Sequence, residues 1–297
     1  MDRRDFIQKT VLLGIGACLA QPGWTWAQGS QYKLGYQLYS VNNDMKDNPL
    51  STLKALQAMG YQDFEIYGFD GEKGTYYGYQ AADFKALLDD LGLTVTSGHY
   101  GFSPYLNQPL DALMRFVDQC IAGALALNSR YITWPWIAPE LRNLETYKRM
   151  VPLLNRIGQR VTEAGLGFAY HNHGYEFEEH NGQTGFDLIV NQTDPAWVKL
   201  QMDMYWVVRS SKTTPKALVD QHPGRFVMWH IKDMDKITQD YSELGQGAID
   251  YTQLLPDPLK SGLEFYYIEQ GGNFATSPLQ SAATSAAYFK QNLQTLI

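Results

Sequence analysis

Short apolar runs alternate along the chain with longer stretches whose apolar residues recur at spacings of three and four. The runs at 34–41 (LGYQLYSV), 64–67 (FEIY), 94–100 (TVTSGHY), 131–136 (YITWPW), 167–173 (GFAYHNH), 198–206, 226–232 (FVMWHIK) and 264–270 (EFYYIEQ) have the length and residue types of strands. Between them the pattern predicts helices over 49–59, closed by Gly60, and over 81–91, 110–127, 144–164, 186–190, 215–221 and 251–255, with a last one over 282–296. Strand–helix alternation implies parallel βαβ units, and eight of them close a (β/α)8 TIM barrel. An open doubly wound sheet would have fewer strands and a glycine-rich first loop; no GxGxxG follows the first strand here.

Composition narrows the function classes. The chain has 297 residues, enough for one barrel of about 250 plus a leader. A net charge of −7 with no basic stripe argues against a nucleic-acid partner. The first residues read as a targeting segment. Arg3-Arg4 is followed by Asp5, Phe6, Ile7 and Lys9, then by an apolar run from Val11 to Ala20 too short for a permanent membrane span. Residues 1–27 are therefore expected to be a twin-arginine signal, with residues 28–297 as the barrel and the periplasm as the destination. Thr25-Trp26-Ala27 suits cleavage by an ordinary signal peptidase. Ile15-Gly16-Ala17-Cys18 offers a lipobox that would anchor the chain through Cys18 instead. The mature fold would then hold one buried thiol, Cys120.

Catalytic groups of such barrels stand at the C-terminal ends of the strands. There the sequence places Glu65, His99, Trp134, Trp136, His171, His173, Asp203, His230, Lys232 and Glu269, with Glu176 in the loop after the fifth strand. Asp203 and Glu269 lie in apolar runs, where an unpaired carboxylate is costly. A shared divalent cation would answer that cost, and imidazole with carboxylate is its ligand set. Lys232 follows His230 by two and shares its inward face; His171 and His173 are related in the same way. Trp134, Trp136 and Trp206 are divided between core packing and stacking on a sugar.

These motifs carry a resemblance. The segments 170–177 (YHNHGYEF), 203–206 (DMYW), 223–225 (PGR), 230–233 (HIKD), 243–247 (ELGQG) with Ile249-Asp250, and 268–270 (IEQ) resemble the sugar phosphate isomerase/epimerase family with its xylose-isomerase-like TIM barrel. The resemblance implies one divalent ion (Mn, Co, Zn or Mg) in a Glu-Asp-His-Glu set. By position, three of its members are Asp203, His230 and Glu269. The remaining glutamate position holds His171, so the fourth ligand is His171 or else Glu176 from the loop. The implied chemistry is proton transfer beside a carbonyl through an enediolate, with Glu269 or His173 as base and Lys232 as a further catalytic group. Glu65, His99, Trp134 and Glu176 are expected to contact substrate. An exported enzyme would meet non-phosphorylated sugars or keto-sugars. A keto-glycoside lyase, a metal-dependent hydrolase and a non-catalytic sugar-binding protein are the alternatives, and a homo-oligomer is compatible with the sequence.

Overall fold

The computed structural model describes residues 32–297; the leader, its cleavage point and Cys18 lie outside the described residues. Eight parallel strands close a barrel in sequence order: β1 (Gly35–Gln37), β2 (Asp63–Tyr67), β3 (Thr94–His99), β4 (Tyr131–Trp134), β5 (Gly167–His171), β6 (Lys199–Asp203), β7 (Met228–Ile231) and β8 (Phe265–Ile268). The closing seam pairs Tyr36 of β1 with Ile268 of β8. Around the strands run α1 (Pro49–Ala58), α2 (Ala81–Asp90), α3 (Leu110–Ala126), α4 (Leu144–Glu163), α5 (Gly185–Gln192), α6 (Pro215–Gln221), α7 (Tyr251–Leu254) and α8 (Pro278–Asn292).

α4 shows why these segments take this form. Asn143 accepts a hydrogen bond from the Thr146 N–H, the N-cap geometry that contributes about 1 kcal/mol. Tyr147, Met150, Val151, Leu154, Ile157 and Val161 make the buried stripe at helical spacing. Gly165, at φ +82°, turns the chain into β5. Gly158 lets the helix approach the next unit, since a β-carbon there would lie 2.5 Å from the Trp197 carbonyl oxygen. Such stripes fill the layer between strands and helices, where Cys120 is buried as a free thiol.

At the lower end of the barrel interior Tyr131, Ala169, Met228 and Tyr267 pack together, and Thr96 links the Tyr267 hydroxyl to buried Asp63. Above them, Gln37, Glu65, Ser97, Thr133, His171, Gln201 and His230 are all buried. A hydrogen bond from Gln201 on β6 to Glu65 on β2 joins strands that are not neighbours, so it crosses the barrel axis. Minor antiparallel ribbons follow β2, β5 and β7, at 69–80, 179–184 and 233–242, and build the rim of the C-terminal mouth.

Several expected element boundaries shift, most visibly at four places. Residues 38–41 form a 3-10 turn, because the Gln37 side chain accepts from the Tyr39 N–H and ends the strand. Residues 135 and 136 leave β4. Residues 204–206 open a short helix, Met204–Ser210, because Asp203 caps it through the Trp206 N–H. The last helix starts four residues earlier than the pattern predicts, at Pro278, where Ser277 caps Gln280 and proline suits the first turn.

Gly35 sits at the closing seam, and a β-carbon there would fall 2.0 Å from the Tyr266 carbonyl oxygen. Gly35→Ala is expected to cost about 3 kcal/mol or more through overpacking against backbone. Urea unfolding should show a lower midpoint; an unchanged midpoint would mean that the seam has slack.

Candidate active site

The upper interior is a polar lattice centred on Glu65. Its Oε1 accepts from Ser97 at 2.6 Å and from Gln201 at 2.7 Å. Its Oε2 accepts from Gln37 at 2.6 Å and meets His230 Nε2 at 2.6 Å and His99 Nε2 at 3.0 Å. The Gln201 carbonyl oxygen faces His99 Nε2 at 2.8 Å and His171 Nδ1 at 2.9 Å. One glutamine thus sets the orientation of two imidazoles. Strand alternation brings these groups inward, two residues apart: Gln201 and Asp203 on β6, His230 on β7 with Lys232 just beyond it.

One layer higher, Asp203, His230 and Glu269 converge. His230 Nδ1 meets Glu269 Oε2 at 2.5 Å, while Lys232 Nζ lies 2.6 Å from Asp203 Oδ2 and 2.9 Å from Glu269 Oε2. Both ring nitrogens of His230 face carboxylates, so both must carry protons and the ring is a cation. Burial opposes that charge, but Glu65 and Glu269 outweigh it and push the His230 pKa up to about 9. Burial likewise disfavours the ionised Glu269, yet Lys232 and His230 hold its carboxyl well below the usual range. Burial, together with neighbouring positive charge from Lys232, keeps His171 and His173 neutral.

The residues suit a divalent ion. One oxygen each of Asp203 and Glu269 and a His230 nitrogen lie within 4.8 Å of one another. Asp203 Oδ2 has no well-angled hydrogen bond, although the Lys232 ammonium is beside it. His171 does not complete this triad. Its Nε2 is 3.7 Å from Asp203 Oδ2, and it groups instead with His99 and His230 as a second triad that shares His230.

Three expected substrate contacts take other places. Glu65 is fully buried with both oxygens engaged, so it positions imidazoles and has no face for a sugar hydroxyl. Glu176 is also buried: Tyr170 donates to its Oε1 at 2.7 Å and the His173 N–H to its Oε2 at 2.8 Å. It pins the loop after β5 and stands outside both ligand triads; burial raises its pKa to about 7. Trp134 is core, stacked on Phe102, with its indole N–H given to the Trp136 carbonyl. Trp136, by contrast, is 42% exposed at the mouth. His99 and Glu269 keep a little exposure, 9% and 8%, and so are the members of the cluster that face the opening.

A cleft of about 460 Å³ opens beside the cluster, lined by Trp136, Arg142, His173, Tyr175, Trp206 and Arg209 among others. His173 joins the two regions: its ring is 4.8 Å from that of His171 and stacks on Tyr175 at 5.3 Å. The sequence reading missed Gln37, Ser97, Gln201, Arg142 and Arg209. Gln201 was accessible by the two-residue alternation back from Asp203; the arginines come from loops, where no periodicity marks a side chain's direction.

Residues 53–261 match the family of xylose isomerase-like TIM barrels. The chain belongs to that family. Among solved structures it is similar to a sugar phosphate isomerase/epimerase from Parabacteroides distasonis ATCC 8503, at 25% identity and a TM-score of 0.76, covering 91% of this chain and 97% of that one. The fold is also that of an IOLI protein with a binding zinc atom (16% identity, TM-score 0.67, covering 89% and 99%) and of an L-ribulose 3-epimerase (16%, 0.66, covering 89% and 95%). No curated protein matches the chain by sequence.

The doubly bonded His230 has a consequence for stability. Its pKa is raised on folding, so its contribution is complete below about pH 6.5 and is lost as pH climbs through about 9. The melting temperature of protein kept in chelator should therefore fall across that interval, and His230→Gln should flatten the fall. A melting temperature that stays level in the unmutated protein would contradict the cationic ring.

Proposed function

We propose that the chain is a divalent-metal-dependent isomerase or epimerase of a non-phosphorylated sugar or keto-sugar, working through an enediolate. The observation that carries the reading is the convergence of Asp203, His230 and Glu269 at the C-terminal mouth of the closed barrel. The similarity to a sugar phosphate isomerase/epimerase over nearly the whole of both chains supports the reaction class. The leader motif supports export to the periplasm, and with it a substrate without phosphate.

Asp203, His230 and Glu269 would hold the ion, with His171 beside Asp203 as the fourth candidate ligand. When bound, a divalent ion polarises the substrate carbonyl and stabilises negative charge developing on its oxygen. The rest falls to the chain's own groups. Glu269 and His173 are both held unprotonated at neutral pH, Glu269 by the adjacent cations and His173 by burial. Each is therefore in the unprotonated form that a base at the carbon beside the carbonyl requires, while the same lowering of its pKa weakens it as a proton acceptor. His173 Nδ1 is buried and has no hydrogen-bond partner among the described residues. Lys232 remains cationic because Asp203 and Glu269 outweigh its burial, and it can donate hydrogen bonds to substrate oxygen. The buried lattice of Glu65 and Gln201 keeps His99, His171 and His230 in fixed orientations, so little reorganisation is required during proton transfer.

The test is solvent exchange. Purified protein incubated with keto-sugars in deuterium oxide should incorporate deuterium beside the carbonyl, as read by NMR. Chelation should abolish the exchange and added Mn or Co restore it. Glu269→Gln should slow it by about 10²–10⁴-fold, the range of a lost general base. Exchange that persists in chelator, or none on any keto-sugar, would overturn the proposal.

A further inference from the structure

The cleft beside the cluster has a chemistry of its own. Its floor is a row of groups in contact: Arg142 over the Tyr175 ring at 3.8 Å, Tyr175 stacked on His173 at 5.3 Å, His173 tilted against Trp206 at 5.8 Å, and Arg209 over Trp206 at 5.2 Å. A guanidinium therefore closes each end. Arg142 donates from Nε to the Ile137 carbonyl at 3.0 Å, and Arg209 donates to the Tyr205 hydroxyl at 2.7 Å. Among the described residues neither forms an ion pair with a carboxylate, although exposed lysines and one other arginine of the chain do. One further polar atom in the floor, the donor Trp206 Nε1, is buried and unpartnered among the described residues. Leaving such a donor unpaired costs free energy that an acceptor-rich ligand would recover. Among the described residues the only acid in the lining is Glu178, on an exposed position, so this lining is net positive on a chain whose net charge is −7.

We propose that this cleft binds an anionic group, carboxylate or phosphate, carried on the part of the substrate remote from the reacting carbons. Trp136, exposed in the lining, takes the C–H face of the sugar, and the guanidinium at one end of the row takes the charge through charge-assisted hydrogen bonds. The inference rests on the proposed sugar chemistry and deepens it. Combined with a substrate free of phosphate, it makes the substrate a sugar acid or a glycoside bearing one.

Binding can be read without turnover, by quenching of intrinsic tryptophan fluorescence with D-glucuronate, D-glucose 6-phosphate and D-glucose in chelator. At least one anionic sugar should bind about tenfold or more tightly than glucose, the scale of one charge-assisted hydrogen bond. The advantage should shrink at high salt and vanish in the Arg142→Ala/Arg209→Ala double variant. The Arg142→Lys/Arg209→Lys variant should retain part of it, which separates lost charge from a disturbed loop. Preference for glucuronate assigns a carboxylate. Preference for the phosphate keeps the anion site and removes the phosphate-free reading of the substrate. Equal binding of neutral and anionic sugars, or an advantage that survives the double alanine variant, overturns the proposal. Deuterium exchange without any anion preference would leave the isomerase reading intact and remove only this one.

Discussion

Three carboxylates in the waist and upper interior of one barrel cannot remain ionised without cations at hand. Burying a lone charge costs several kcal/mol, and breaking a buried pair leaves that cost uncompensated. Glu65, Asp203 and Glu269 meet the constraint through His230, held between Glu65 and Glu269, and Lys232, held between Asp203 and Glu269. The positions of His99, His171 and Gln201 follow from it. Gln201 donates to Glu65 and uses its carbonyl to fix both imidazoles. The barrel contributes by closing the lattice on all sides, which is why the seam at Gly35 bears on a site several residues away along the strands.

The same constraint links structure to chemistry. Positive charge held among Asp203, His230 and Glu269 by an ammonium and an imidazolium marks a place where a divalent ion has a suitable donor set. Two triads share His230, one of mixed carboxylate and imidazole, the other of three imidazoles. Each keeps one slightly exposed member toward the mouth, Glu269 in the mixed triad and His99 in the other. The mixed triad alone brings carboxylates, and with them the charge that balances a divalent cation.

Much of this architecture was legible in the residues. Eight apolar runs separated by helical periodicity define a barrel because strand and helix have different repeats, and the strand ends then follow from the runs. Asp203 and Glu269 stood out because charge inside an apolar run needs an explanation, and Lys232 because it follows His230 by two on the same face. What could not be read was which neighbour each group would choose. Glu65 looked like Glu269, a carboxylate in an apolar strand, yet it lies a layer deeper and is saturated by five neighbours' contacts across the barrel. Trp134 and Trp136 are two apart and were equivalent by alternation; β4 ends at Trp134, so the second indole swings outward. Glu176 could reach the ion only if its loop were free, and Tyr170 together with the His173 N–H holds it elsewhere.

The central claim is that Asp203, His230 and Glu269 share a cation. Crystals soaked in Mn²⁺ and measured at an anomalous wavelength test it most directly. The account predicts one strong peak within bonding distance of all three side chains, with the Lys232 ammonium moved off Asp203 or Glu269. A peak seated among His99, His171 and His230 alone, or no peak while Lys232 keeps both carboxylates, would contradict it.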